Sequence, residues 1–409
     1  MKNFSSDNLY VALDIGTTKI CALVAVAHQD ILEIIGIGKA PSHGLARGVV
    51  IDISEAVASI KSAVREAELM CGHTIESAYI GISGSHIQSI NSRGMVPIKH
   101  GSVKQYDMVQ VVQAAQSIPI AEGQQILHVL PQFYVIDGHH HVQDPLDMHG
   151  VRLETQVHII TGNIASVQNL IRCSEMAGIK VRDIVLEPLA SAHAILTSDE
   201  LHLGVGILDI GGGTADFAVY HQGTIRHTKI FPIAGNLFTS DIAHCLKTPL
   251  KEAERIKELY GLQHHESLTQ THIEIESLNN EEKHHIFIED IHTILQYRAQ
   301  ELLYAVYQEM QEYNLASSMT SGLVLTGGGA LLAGLVDLSQ SILSVPVRIG
   351  KPKITVAFKE SLNNPMYATA YGLLIHALKK DRKQSIHELS GPLVNRILWR
   401  MKSWVFDFF

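Results

Sequence analysis

Cysteine is scarce in this 409-residue chain: there are four, Cys21, Cys71, Cys173 and Cys245, with no CxxC pair. Such spacing excludes a disulfide framework and a cysteine zinc site, and predicts reduced, buried thiols in a cytosolic protein. Long apolar runs are missing as well. No uncharged apolar stretch reaches the roughly 18 residues needed to cross a bilayer, so no spanning helix is expected. The opening MKNFSSDNLYVALDIG has no apolar segment ahead of its first strand, and no signal peptide is expected. Positive charge is not in excess either: the net charge is −9, which gives no reason to expect binding to nucleic acid. Histidine, by contrast, is abundant at 24 residues, with clusters at His139–His141, His264–His265 and His284–His285. The clusters lack Cys, Asp or Glu partners at metal-ligand spacing, and their polar, turn-like setting marks them as solvated surface. A hydrophobic content of 46% with 18% charged residues is that of a globular protein, long enough for two sizeable cores.

What is present is a repeat. LDIGTT at Leu13–Thr18 returns about 195 residues later as LDIGGGT at Leu208–Thr214. Each copy ends a buried-looking strand and opens another. The distance is too long for a solenoid period and predicts two related domains, each with one Gly/Thr-rich hairpin turn. Glycines let backbone N–H groups approach an anion, Thr hydroxyls add donors, and one Asp per turn suits a hydrated Mg²⁺. Two such turns face to face would grip the phosphates of one nucleotide from both sides. A third glycine turn, TGGGA at Thr326–Ala330, follows the strand Gly322–Thr326 and is expected to open a helix, LLAGLVDLSQSIL.

Between these turns, helical periodicity covers Ile53–Cys71, ended by Gly72, and a helix near Asp107–Ser117 is expected with Asp107 as its N-cap. ESAYIGISGSHIQSINSRGMVPI reads as two strands joined through Gly84. Residues 85–162 form a compact β-rich module inserted into the first domain. Helices are expected at Asn236–Cys245, Pro249–Tyr260 and about 286–313, with a polar stretch to about Asn280 between the last two. After Pro365 comes a small-residue helix able to pack closely on another backbone.

The C-terminus has its own pattern. GPLVNRILWRMKSWVFDFF places Leu393, Ile397, Met401, Trp404 and Phe408 on one helical face, flanked by Arg396, Arg400 and Lys402. From Lys379 onward seven basic residues face three acids. An aromatic-rich apolar face with a basic flank suits a helix lying in an anionic membrane surface. The alternative is a helix docked on the body or on a partner.

Five segments in chain order resemble the motifs of the actin-like ATPase superfamily of actins, DnaK-type chaperones and sugar kinases. They are Leu13–Thr18, Glu187–Ile195, Leu208–Thr214, Thr326–Leu332, and Pro365 with Ala368–Gly372. EAERIK at Glu252–Lys257 resembles the helix that holds ribose and adenine in some members. The inserted module, the tail and GNLFTSDIA at Gly235–Ala243 make the chain similar to the FtsA-type bacterial actins. The resemblance implies an α/β actin-like ATPase fold, two related domains around a nucleotide cleft. It divides the chain into subdomain 1A (1–84 and 163–204), an inserted 1C (85–162) and domain 2 (205–364, with 2B at about 246–315). A return helix (365–378), a linker (379–390) and a membrane-targeting helix (391–409) follow.

The resemblance also implies the cofactors, ATP and Mg²⁺, and the residues that hold them. Asp14 and Asp209 would organise the cation, partly through water. Gly16, Thr17, Thr18 and Lys19 would meet the phosphates from one side, and Gly211, Gly212, Gly213 and Thr214 from the other. Gly327, Gly328 and Gly329 would lie against the α-phosphate and adenosine, with Glu254 and Lys257 at ribose and base. Glu187 would position water, or cap a turn. Membrane contact would fall to Leu393, Ile397, Arg400, Met401, Trp404 and Phe408. The implied role is a polymerising adaptor, not an enzyme beyond weak ATP hydrolysis. It would act at the cytoplasmic face of the inner membrane, at the division septum. Its implied partners are FtsZ, further copies of itself, membrane lipid and later division proteins, and no nucleic acid. The alternatives are a pilus-assembly adaptor or a small-molecule kinase of the same fold.

Overall fold

In the computed structural model, the structure describes residues 9–28, 31–263, 271–278, 283–354 and 358–388. The repeat seen in sequence is a repeat of topology. Leu9–Ile15, Lys19–His28 and Ile31–Pro41 form an antiparallel meander, extended beyond the first strand by the parallel strands Ser77–Ile82 and Lys180–Leu186. In the second domain, Val205–Ile210, Ala215–His221 and Thr224–Phe231 repeat the meander, and Leu323–Thr326 and Val347–Ile349 extend it in the same order.

Strands covered on both faces read as continuous apolar runs, and here the two faces sort cleanly. Val11, Leu13, Ile20, Ala22 and Val24 face the helix Ile53–Cys71, whose Ala56, Ile60, Ala63 and Ala67 are buried. That helix starts where Asp52 Oδ1 accepts from Glu55 N at 3.0 Å and ends at Gly72, φ 72°. Such a cap contributes about 1 kcal/mol. Ala12, Cys21, Leu23 and Ala25 face the opposite way, into a core shared with Ile207, Ala218 and Tyr220 of the second sheet. Between the sheets lie two crossing helices, Glu187–Ile195 and Ala368–Glu388. They touch backbone to backbone: a Cβ on Gly372 would stand 1.8 Å from the carbonyl oxygen of Ala190. This is the close packing expected of the small-residue helix after Pro365.

The inserted module has a separate sheet. Gln88–Pro97, Arg152–Asn163, Gln124–Ile136 and His140–Val142 pair in that order, with a core of Val111, Val112, Tyr134, Leu153 and Val157 against the helix Gln105–Gln116. It rests on the edge strand Thr224–Phe231 of the second domain, where His158 Nε2 lies 2.8 Å from Thr228 Oγ1 and Gln132 Nε2 donates to Ile225 O at 2.9 Å. The second domain carries helices Gly235–Leu246, Leu250–Tyr260 and Ile288–Glu312 on its outer face.

The two strands expected on either side of Gly84 are present, Ser77–Ile82 in the first domain's sheet and Gln88–Pro97 in the module's. Several other expectations change. The module helix begins after Lys104, and Asp107, in its first turn, reaches back to accept from Lys104 N at 2.9 Å. Within the polar stretch before the long helix, His272–Ile275 pairs with His284–Phe287. The turn at Gly327 enters only a short 3₁₀ helix, Gly328–Leu331, and the α-helix waits until Leu335 after Gly334, φ 85°. Residues 379–388, expected within a linker, continue the final helix. Lys380 Nζ lies 2.6 Å from Asp183, and Tyr79 donates to Asp381 at 3.2 Å. Cys21 and Cys173 are buried, but Cys71 is half-buried and Cys245 exposed. The expected membrane residues Leu393, Ile397, Arg400, Met401, Trp404 and Phe408, with His264 and His265, lie outside the described residues. Among the described residues no helix is long and apolar enough to cross a membrane.

Candidate functional site

The two repeated turns close in the same way. Gly16 N donates to Lys19 O at 3.0 Å, and Gly211 N to Thr214 O at 2.9 Å. Their tips meet: a Cβ on Gly212 would stand 2.3 Å from Thr18 Cγ2, and one on Gly213 2.4 Å from Thr17 Oγ1. Behind the tips is a cleft with a volume of about 500 Å³, and it gathers every residue expected at a nucleotide. From the first domain come Asp14, Gly16, Thr17, Thr18, Lys19 and Glu187. The second domain supplies Asp209, Gly211, Gly212, Gly213, Thr214, Glu254, Lys257, Gly327, Gly328 and Gly329.

At one wall, Lys257 Nζ lies 2.8 Å from Glu254 Oε1 and donates to Thr239 Oγ1 at 3.0 Å, while Thr239 Oγ1 also donates to Glu254. Gly327, with φ 80°, lets the third turn pass over Asp209: a Cβ there would stand 2.4 Å from Asp209 Oδ1. Lys19 Nζ donates to Met366 O at 2.6 Å and stands 4.0 Å from Asp14.

Four further residues support the cleft, Ser83 and Thr369 in its lining and Ser191 and Asp216 behind it, and sequence reasoning did not single them out. Ser191 Oγ donates to Asp209 Oδ2 at 2.5 Å and Thr369 Oγ1 to the same oxygen at 3.1 Å. These hydroxyls come from the two crossing helices, so the second domain's aspartate is held by elements of the first. Ser83 Oγ donates to Asp216 at 2.7 Å and lies 3.1 Å from Thr214 Oγ1. Ser191 and Thr369 lie inside the motif-like segments Glu187–Ile195 and Ala368–Gly372 without having been singled out there, and Asp216 showed only as an acid two places after Thr214.

Electrostatically the cleft is crowded with like charge. Burial pushes Asp14 up to about 6; Lys19 opposes the shift and Asp209 adds to it. Asp216 is pushed up to about 8, by burial first and by Asp209 and Asp14, against the Ser83 and Thr214 hydrogen bonds. Glu187 is raised well above the usual carboxylate range by burial and by Asp14, Asp216 and Asp209. Asp209 is raised by burial and restrained by Ser191 and Thr369. Buried carboxylates in this number call for a cation. Yet among the described residues no group of three or more His, Cys, Asp or Glu is placed to hold a metal directly. Asp14 and Asp209 are the carboxylates that a hydrated Mg²⁺, which takes few protein ligands, would meet here.

The crowding sets a pH dependence. A carboxyl raised in the folded state contributes stability at low pH that is lost as pH rises through its folded pKa. The buried neutral histidines His128 and His158, pushed down by burial to about 4 and about 3, act oppositely, but only below the ordinary histidine range. From about pH 6.5, above the histidine range, to about pH 8, therefore, the thermal midpoint of the nucleotide-free chain should fall, because Asp216 stays protonated in the fold where the unfolded chain would ionise it, and Glu187 is raised in the same direction. Mg²⁺ with nucleotide should flatten the profile. A level profile without ligand would contradict the crowding.

Comparison with known proteins assigns the family. A family model described as cell division protein FtsA matches residues 206–372, and one described as the SHS2 domain inserted in FtsA matches residues 84–161. The cell division protein FtsA of Pseudomonas aeruginosa is 40% identical over 414 residues, covering 99% of both chains. That of Escherichia coli K12 is 36% identical over 406 residues, covering 97% of this chain and 96% of the relative. The chain belongs to the FtsA family. Among solved structures, the PilM–PilN type IV pilus biogenesis complex resembles this FtsA-family chain with a TM-score of 0.66 at 18% identity, covering 90% of this chain and 97% of that one. MreB5 of Spiroplasma citri bound to AMPPNP gives 0.59 at 16% identity, covering 94% and 100%. These likenesses show the fold, which is actin-like. This FtsA-family chain is an actin-like cell division protein.

Proposed function

We propose that this chain binds ATP with Mg²⁺ in the cleft and assembles head to tail at the cytoplasmic face of the inner membrane. There, at the septum, it anchors FtsZ filaments and recruits later division proteins. The observation that carries this reading is the convergence of three glycine turns and the Glu254–Lys257 pair on one cleft. A solved structural neighbour bound to AMPPNP and another bound to ADP support nucleotide as the ligand.

In this reading the turns Gly16–Thr18 and Gly211–Gly213 meet the phosphates, with the backbone N–H groups of Thr17, Thr18, Gly212 and Gly213 as donors, and Lys19 adds charge from the first domain. Gly327–Gly329 pass close to the α-phosphate and adenosine, and Glu254 and Lys257 meet ribose and base. Asp14 and Asp209 would hold a hydrated Mg²⁺ through its waters, and the ion would supply positive charge against phosphate. Glu187, the first residue of its helix, positions water for a slow hydrolysis. The protein serves as an adaptor, with nucleotide fixing the relation of the two domains and so favouring a heterologous contact that builds open filaments. The terminal residues Leu393, Ile397, Arg400, Met401, Trp404 and Phe408 bind lipid weakly, and assembly multiplies that affinity.

Flotation with anionic vesicles tests the reading. The full chain with ATP should float, and a chain ending at Leu389 should remain in the soluble fraction. Equal flotation of the two would remove the anchor, and monolayers imaged with and without ATP would show whether filaments depend on nucleotide.

A further inference from the structure

A two-residue loop, Arg47–Gly48, joins the short strands Leu45–Ala46 and Val49–Val50, in which Leu45 pairs with Val50 and Ala46 with Val49. Arg47 has φ 50° and Gly48 φ 76°, so both central residues are left-handed, as a type I′ hairpin requires. Asn, Asp or Gly is favoured at the first of these positions. An arginine there is strained, because its Cβ crowds the following carbonyl. The Arg47 side chain does nothing to offset the strain: it is exposed and makes no hydrogen bond or ion pair to any described residue.

The turn is fixed against the cleft. Gly48 N donates to Thr17 Oγ1 at 3.1 Å, and Gly48 lines the cleft wall. A Cβ on Gly213 would stand 2.9 Å from Arg47 Cα. Arg47 thus sits over the meeting point of the two tips, beside Thr17 and Gly213. Charge points the same way. Lys19 is the basic side chain beside the buried acids Asp14, Asp209 and Asp216 and the half-buried Glu187, and its ammonium is already bonded to Met366 O. A polyphosphate brings several further negative charges, and one divalent cation offsets only part of them. An unpaired guanidinium at this lip supplies positive charge in a fork that matches phosphate oxygens.

We propose that Arg47 contacts the terminal phosphate of a bound nucleoside triphosphate and makes the cleft favour triphosphate over diphosphate. The inference rests on the cleft being the nucleotide site. A residue held in a strained turn, without a partner and over the phosphate grip, is placed for a ligand and not for the fold.

Two variants of the full chain test it, with ATP and ADP affinities measured by calorimetry in Mg²⁺ and thermal midpoints measured without nucleotide. Arg47→Asn removes the charge but suits a type I′ turn. It should lower ATP affinity about 10-fold or more, the scale of a lost charge-assisted hydrogen bond, and ADP affinity less than about threefold. Its midpoint should hold or rise. Arg47→Lys should keep most of the preference. Equal losses for ATP and ADP, or no loss for ATP, would overturn the proposal while leaving the cleft as a nucleotide site. A lower midpoint for Arg47→Asn would overturn the strain argument. Failure of the unchanged chain to bind either nucleotide would overturn both readings.

Discussion

Gly372→Ala is expected to destabilise this protein by about 3 kcal/mol or more and to weaken nucleotide binding with it. The added methyl would stand 1.8 Å from Ala190 O and 2.3 Å from Ala190 C, atoms of a helix backbone that no side-chain rotation can clear. The helix-propensity gain of alanine over glycine, about 1 kcal/mol, is smaller than the overpacking cost. Relief requires the helices Glu187–Ile195 and Ala368–Glu388 to part, which moves Ser191 and Thr369 away from Asp209. Thermal unfolding and ATP calorimetry should therefore report the change together. A midpoint like that of the unchanged chain would show that the crossing has room to spare.

Asp209→Ala should act in the opposite sense on its two readouts. Affinity for ATP in Mg²⁺ is expected to fall about 100-fold, the upper range for loss of a group that orients a metal's surroundings. The nucleotide-free midpoint is expected to hold or rise, because one of the mutually repelling buried acids is gone. Ser191 and Thr369, whose hydroxyl oxygens lie 2.9 Å apart, can still bond each other. Unchanged ATP affinity would remove Asp209 from the site. A collapse of the nucleotide-free chain would mean that this carboxylate is structural.

The glycine turns were legible because their physics is local. A strand that must reverse beside an anion needs Gly and Thr at fixed offsets, and both copies carry them. The presence of one hairpin in each of two related sheets followed from the same repeat. What was not legible depends on chain segments far apart in sequence. Ser191 and Thr369 are separated by 178 positions, and only the crossing at Gly372 brings them to one carboxylate. Asp216 gave no sign that it would be buried beside Ser83, because its partner arrives from the other domain. The helix after the third turn was placed too early because periodicity takes no account of the left-handed Gly334 that delays it. The final helix was ended too soon at the run of charge from Lys379. In the fold, that charge is matched by Asp183, which accepts from Lys380, and by Tyr79, which donates to Asp381.

That last pairing decides which domain the end of the final helix travels with. Both Asp183 and Tyr79 lie on strands of the first domain. The helix they clamp is the last described element, some 30 Å of it between Ala368 and Glu388. The far end of that helix is therefore tied to the first domain, and any opening of the cleft carries it with Asp183 and Tyr79 and not with the outer helices of the second.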